Sequence, residues 1–231
     1  MLIFAPNFAR RIDLPGAGPC PRPVDIDRFS TGFADLVSLR VYSFAQGVVI
    51  DGEAEDDEVF IVLMHGKADI AISRGGEAAV SFALRHDGGM RAVFMPPHAS
   101  YRLSAVTDCD IAYARARPVG TAQPVVQGFT ATGSRLDVIG HATAMDLALV
   151  GVRAGEDANL CGDGLLPERL LHLRAGRTLS ASVNGETVGD WASVALGQND
   201  PLALAINQGA GEVLLITATK DHDLHRKVPT I

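Results

Sequence analysis

Positive charge, cysteine, aromatic side chains and long apolar runs are all scarce in this chain, and each scarcity removes a class of protein. Of 231 residues, 20 are Lys or Arg against 27 Asp or Glu, a formal net charge of −7. A surface so short of basic stripes does not grip a phosphate backbone, so no nucleic-acid partner is expected. The 3 cysteines (Cys20, Cys109 and Cys161) are odd in number and unrelated in spacing. That excludes a disulfide framework or a zinc knuckle and points to a reducing, cytoplasmic compartment. Hydrophobic residues make up 47%, yet no run approaches the ~18 uninterrupted apolar residues of a membrane helix. The apolar start, Met1 to Pro6, is short and has no basic lead, unlike a secretory signal. No membrane partner is expected.

What is present is a succession of short apolar segments closed by glycine or proline. Leu39–Phe44, Val59–Met64, Ala68–Ser73, Arg91–Met95, Ile111–Ala116 and Glu212–Thr217 are rich in β-branched residues, and several alternate in polarity as half-buried strands do. Between such segments stand Arg74-Gly75-Gly76, Asp87-Gly88-Gly89 and Asn184-Gly185, turns whose glycines accept positive φ. Many short strands at this spacing predict a sandwich or barrel. A brief helix is expected over Asp27–Asp35, with a further turn near the C-terminus. Phe44, Phe60, Phe82, Phe94 and Tyr113 are expected to fill cores, and Trp191 to begin a strand.

The stretch from Pro118 to Pro124 reads as a linker that divides the chain almost evenly, and the two sides match. Glu58 stands at the head of an apolar segment ending at Gly66; Glu168 stands in the same relation to Gly176. Ile70–Ser73 with its Gly-Gly-Glu turn parallels Leu179–Val183 with its Asn-Gly-Glu turn, and Asp110–Tyr113 parallels Glu212–Leu215. Matches recurring in one order predict that a single supersecondary plan occurs twice.

The order of these elements resembles the cupin superfamily. The segment from Glu58 to Ile70, with Phe94–His98 and Ser104–Ala112, is similar to the 5-deoxy-glucuronate isomerase family of inositol catabolism, which are two-cupin proteins. The resemblance implies an all-β bicupin, that is, two double-stranded β-helix (jelly-roll) barrels. An N-terminal arm (1–35) would precede a first barrel (36–117), a linker (118–125), a second barrel (126–220) and a polar tail (221–231). The arm would drape over a barrel or a neighbouring subunit, and barrels pairing through edge strands would give a homodimer. The family's metal would be held by a His-x-His pair, a glutamate and a later histidine in the second barrel. Here Cys161 and Asp163 stand at the paired-histidine positions ahead of Glu168, and no histidine falls near Ala203–Ile206. The same count in the first barrel puts Asp51 and Glu53 at those positions and Tyr101 at that of the later histidine. No intact histidine metal site is therefore expected, and the cofactor is left open.

Two carbonyl-chemistry candidates follow. Glu58, first on its strand and aimed into a barrel mouth, or His98, at the rim after Pro96-Pro97, can serve as a base for aldose–ketose isomerisation through an enediol. Tyr101, Arg102 and Glu168 are the expected ligand-binding residues for a small-molecule sugar acid. The acidic run Asp51 to Glu58 and the histidines His65 and His172 carry the plainer readings of a solvated loop and of outward or core-edge residues. Three function classes stay open: a sugar-acid isomerase, a non-catalytic carbohydrate or small-metabolite binder with a regulatory role, and a scaffold without a small ligand.

Overall fold

The computed structural model describes residues 1–119, 125–155, 160, 167–175 and 179–219. Among them, the strongly apolar segments lie within strands: Leu36–Phe44, Glu58–His65, Lys67–Arg74, Met90–Met95, Cys109–Ala116 and Ala210–Ala218. Asn184 and Gly185, at φ 51 and 85, turn the hairpin between Ser180–Val183 and Glu186–Gly189, as two successive left-handed residues do. The expected Asp27–Asp35 helix contracts to Arg28–Thr31. Asp27 caps it through the Ser30 amide, and Gly32 at φ 74 ends it before a second turn forms. No described helix is long and apolar enough to cross a membrane.

The two halves repeat one sheet order. In the first, Val24–Asp27, Leu36–Phe44, Cys109–Ala116, Glu58–His65 and Met90–Met95 lie side by side. In the second, the corresponding order is Arg135–Val138, Met145–Arg153, Ala210–Ala218, Arg169–Ala175 and Ser193–Leu196. The halves also exchange strands. Leu2–Phe4 pairs with Ser193–Leu196 of the second half, and Gln127–Thr130 pairs with Met90–Met95 of the first. The hairpin of Arg11–Leu14 and Gly18–Pro21 in the N-terminal arm folds onto the first half and seats Leu14, Ala17 and Cys20 on its apolar interior.

Side-chain alternation divides the apolar residues into three bodies. Along Glu58–His65, Val59, Ile61 and Leu63 join Phe44 and Ile50 inside the first curled sheet. Phe60, Val62 and Met64 point the other way, into a seam shared with Leu170, Leu214 and Ile216 of the second half. Leu171, Leu173, Val194 and Val213 fill the second curl. A strand buried on both faces reads as one continuous apolar run rather than an alternating one, which explains the sequence Val59 to Met64.

His172 lies on the seam face, opposite its neighbours Leu171 and Leu173. It is fully buried; Nδ1 is 3.0 Å from the Ser193 hydroxyl, and Nε2 has no hydrogen-bond partner. Its ring meets the edge of Trp191 at 5.8 Å. Trp191 itself is not a strand residue. It occupies a turn at φ 64 that precedes Ser193–Leu196, with Phe8 at its ring edge and the Arg174 guanidinium 4.7 Å above the ring. Burial, reinforced by Arg174, pushes the His172 pKa down to about 3. The unfolded chain takes up that proton at about pH 6.5, so the neutral ring's contribution is complete above that pH and is lost as pH falls toward 3. We expect wild-type stability to fall more steeply than that of His172→Gln between these limits, by about 1.4 kcal/mol per pH unit. Denaturant unfolding at a series of pH values measures the difference; parallel curves would show that His172 is not held neutral.

Candidate functional site

Glu58, His98, Tyr101 and Arg102, the candidates of the first half, surround its curl, and the pleat decides which of them reach its inner face. In Val49–Glu53, Ile50 is buried and Gly52 half-buried, whereas Asp51 and Glu53 are exposed. Asp51 and Glu53, at the paired-histidine positions by count, therefore face outward: an offset of one residue sends every side chain to the opposite face. Across the register, Tyr101 faces Gly52 and Arg102 faces Asp51. Arg102 therefore lies outside the barrel, paired with Asp51 at 3.0 Å.

Tyr101 turns inward and lies over Gly52, where an added Cβ would stand 2.6 Å from the phenol ring and hydroxyl. Tyr113 and Tyr42 complete an aromatic plug, their rings 5.9 and 5.4 Å apart from the next in the series. Burial pushes the Tyr101 pKa up to about 12 and raises that of Tyr113 well above the ordinary phenol value. Tyr101 thus stands as a neutral phenol among Ile50, Gly52, Val59 and Ile61. His98 stays on the rim in a left-handed turn, φ 61, with its exposed ring 3.7 Å from Asp56. His98, Tyr101 and Arg102 thus occupy rim, interior and outer face, and the structure does not bring them together.

Glu58 and Glu168 have a different setting from the barrel mouth expected for Glu58. Both sit on the seam-facing side of their strands, and both are almost completely buried. The Glu58 carboxylate accepts from the amides of Thr143 and Ala144 at 2.9 to 3.0 Å and from the Thr143 hydroxyl at 2.8 Å. Those residues lead into Met145–Arg153 of the second half. Glu168 answers from the other side, accepting from the amides of Ala34, Asp35 and Leu36 at 2.7, 2.9 and 3.1 Å, where the first half enters Leu36–Phe44. Each half's glutamate clamps the equivalent strand entry of the other.

Among the described residues, clefts open at the surface in two places that bear on these side chains. One, of about 370 Å³, lies between the Thr31–Ala34 turn, Glu168 and Asp200. The other, of about 520 Å³, lies at the far end of the Glu58–His65 strand between Gln46, His65, Lys67, His86 and Asp108. Its two imidazoles meet edge to face at 5.6 Å. Nε2 of His86 is 3.6 Å from Glu212, which is gripped by both guanidinium nitrogens of Arg91 at 2.9 and 2.8 Å. Burial, with help from Arg91 and His65, lowers the His86 pKa against the opposing pull of Glu212. His65 ends an apolar strand and is visible in the sequence, whereas His86, Lys67 and Asp108 are turn residues far apart in the chain and carry no spacing signal. Among the described residues no three His, Cys, Asp or Glu side chains converge in a way that could hold a metal ion. Cys161 and Asp163 lie outside the described residues.

A family model described as KduI/IolB family matches residues 23–143, just over half of the chain. The chain belongs to the KduI/IolB family. No curated protein sequence gives a significant match. Among solved structures, an IolB-like protein from Salmonella typhimurium LT2 is 15% identical with a TM-score of 0.62, covering 95% of this chain and 92% of that one. YhhW from Escherichia coli is 12% identical with a TM-score of 0.65 and coverages of 94% and 98%. A cupin 2 conserved barrel domain protein from Leptotrichia buccalis is 14% identical with a TM-score of 0.50 and coverages of 94% and 92%. At these identities the likeness establishes the fold alone: the chain is an all-β, cupin-type jelly roll.

The clamps predict a graded series. Glu58→Ala leaves buried amides of Thr143 and Ala144 unsatisfied and should cost about 3 kcal/mol of unfolding free energy. Glu58→Gln keeps one acceptor oxygen and should cost less, and Glu168→Ala should resemble Glu58→Ala. Denaturant midpoints test the ranking. A Glu58→Ala protein as stable as wild type would show that the clamp contributes nothing.

Proposed function

We propose that this member of the KduI/IolB family recognises a sugar acid or a closely related hydroxylated metabolite as a binding, regulatory protein rather than as its isomerase. Membership of a family that resembles sugar-acid isomerases supports the ligand class. The observation that carries the non-catalytic part is the setting of Glu58. A base for enediol formation must reach a substrate C–H, and this carboxylate is buried in the seam with its oxygens held by backbone amides. His98, the other candidate base, is on the rim with its exposed ring 3.7 Å from Asp56, while Tyr101 turns inward and Arg102 pairs with Asp51 outside.

Isomerisation of a sugar acid is the second reading, and family membership is what favours it. In that case the groups that stabilise an enediolate must come from the second barrel. The two readings separate in one set of measurements on purified protein: metal content, thermal stabilisation by a panel of uronates, and aldose–ketose interconversion with and without added Mn²⁺, Fe²⁺ or Zn²⁺. We expect uronate-dependent stabilisation without turnover under any metal condition. Metal-dependent interconversion would establish the isomerase instead, and a protein stabilised by no sugar acid would leave the scaffold reading.

A further inference from the structure

Because one plan builds both halves, the cleft beside Glu168 can be compared with the same place beside Glu58. Phe60 and Leu170 each lie two residues beyond a clamping glutamate. Across the register Phe60 faces Phe94, and Leu170 faces Ala195. On their other side Phe94 meets Gln127 and Ala195 meets Leu2, each on an exchanged strand. Ala195 is therefore the counterpart of Phe94. Counting back from the clamped amides of Thr143 and Ala34 makes Gly32 the counterpart of His141.

In the first half this place is filled by rings. The His141 imidazole packs edge to face against Phe94 at 4.9 Å and Phe129 at 5.1 Å, and its Nε2 lies 3.2 Å from the Val125 carbonyl. Phe94 in turn meets Phe60 at 5.3 Å. In the second half an alanine and a glycine stand at the positions of these two rings, and the cleft of about 370 Å³ opens there. That volume lies at the low end of the ~300–1,000 Å³ typical of small-molecule sites. Edge-to-face packing is a favoured arrangement of aromatic rings, so the first half shows what shape of guest the second would hold. The walls specify its polarity. Leu2, Phe33 and Ala195 supply apolar surface, and Glu168, Gln198 and Asp200 supply polar groups. The Met1 ammonium and the Gly197 amide each donate to Asp200 Oδ2 at 2.9 Å. They hold the Asp200 carboxyl below the usual carboxylate range. Two carboxylates thus answer one ammonium in this cleft, and the surplus negative charge disfavours an anionic guest.

We propose that this cleft binds a planar aromatic nitrogen heterocycle with an N–H donor, its ring lying where the first half places Phe94 and His141 and its N–H directed at Asp200. The site is separate from the sugar-acid reading and does not depend on it. Phe33 offers the guest an aromatic neighbour in the cleft wall, and Asp200 offers it a charged acceptor at the rim. A charge-assisted bond of that kind is stronger than one between neutral groups. The duplication has in this way closed one of two equivalent places with the chain's own rings and left the other for a ligand.

The test is calorimetric titration with benzimidazole, with 1-methylbenzimidazole as the ring that lacks the N–H and benzoate as the planar anion. Ala195→Phe restores the ring that the first half carries, Ala195→Leu fills the cleft by less, and Asp200→Asn removes the charge. Arg135→Ala, on the outermost strand of the second half, is the control. Circular dichroism and melting curves establish which variants fold, and Ala195→Leu carries the test if Ala195→Phe does not. Wild type and Arg135→Ala should bind benzimidazole alike. They should bind 1-methylbenzimidazole about 10-fold more weakly, as for loss of a charge-assisted hydrogen bond, and should not bind benzoate. The folded Ala195 variants should bind benzimidazole about 10-fold more weakly or worse, and Asp200→Asn should lose most of the preference for the N–H. Benzimidazole bound equally by wild type and the folded Ala195 variants, or bound by no protein of the set, would overturn the proposal. An undiminished N–H preference in Asp200→Asn would overturn the role given to Asp200.

Discussion

Two buried carboxylates gripping backbone amides across a seam are the constraint on which the rest of this fold depends. A charge removed from water is tolerated only when hydrogen bonds replace its hydration, and amides at a strand entry have no partner within their own sheet. Glu58 and Glu168 solve both problems at once, each in the half opposite its own. This fixes where Leu36–Phe44 and Met145–Arg153 begin, and it sets the Glu58–His65 and Arg169–Ala175 strands back to back. At the opposite ends of those strands, Arg174 pairs with Asp110 at 2.9 Å and Arg91 with Glu212. The apolar seam is thus held by amide clamps at one end and by ion pairs at the other.

The same alternation that sends the glutamates into the seam settles what remains inside the first barrel. With Glu58 facing out of that barrel, Val59, Ile61 and Leu63 face in, and across from them the inward residues are Ile50, Gly52 and Tyr101. The interior becomes an aliphatic core stoppered by tyrosines, over which the N-terminal hairpin is laid. Polar chemistry is displaced from the interior to the strand ends, where turns meet at the rim. The cleft of His65 and His86 lies at such an end, with His86 3.6 Å from the Glu212 that Arg91 holds across the halves.

Exchange of strands adds to this coupling. Leu2–Phe4 and Gln127–Thr130 occupy equivalent places on opposite halves, each covering an edge that would otherwise present unpaired amides and carbonyls. The order of the sheets therefore does not follow a simple division of the chain at its linker. The N-terminal arm serves the first half through its hairpin and the second through its first strand.

Much of the architecture was legible in the residues. Short β-branched segments, the Asn184-Gly185 turn and the equivalence of Glu58 with Glu168 are local or ordered signals, and they name the strands and the repeat. Sequence alone determined that this is an all-β chain, because backbone preference and side-chain periodicity act between neighbours. Which face of the Val49–Glu53 strand turns inward, the meeting of Glu58 with Thr143, and the approach of His65 to His86 were decided only by the tertiary structure. A period of two cannot say which of its faces is the inner one, and contacts between residues distant in the chain exist only once two sheets have curled and docked.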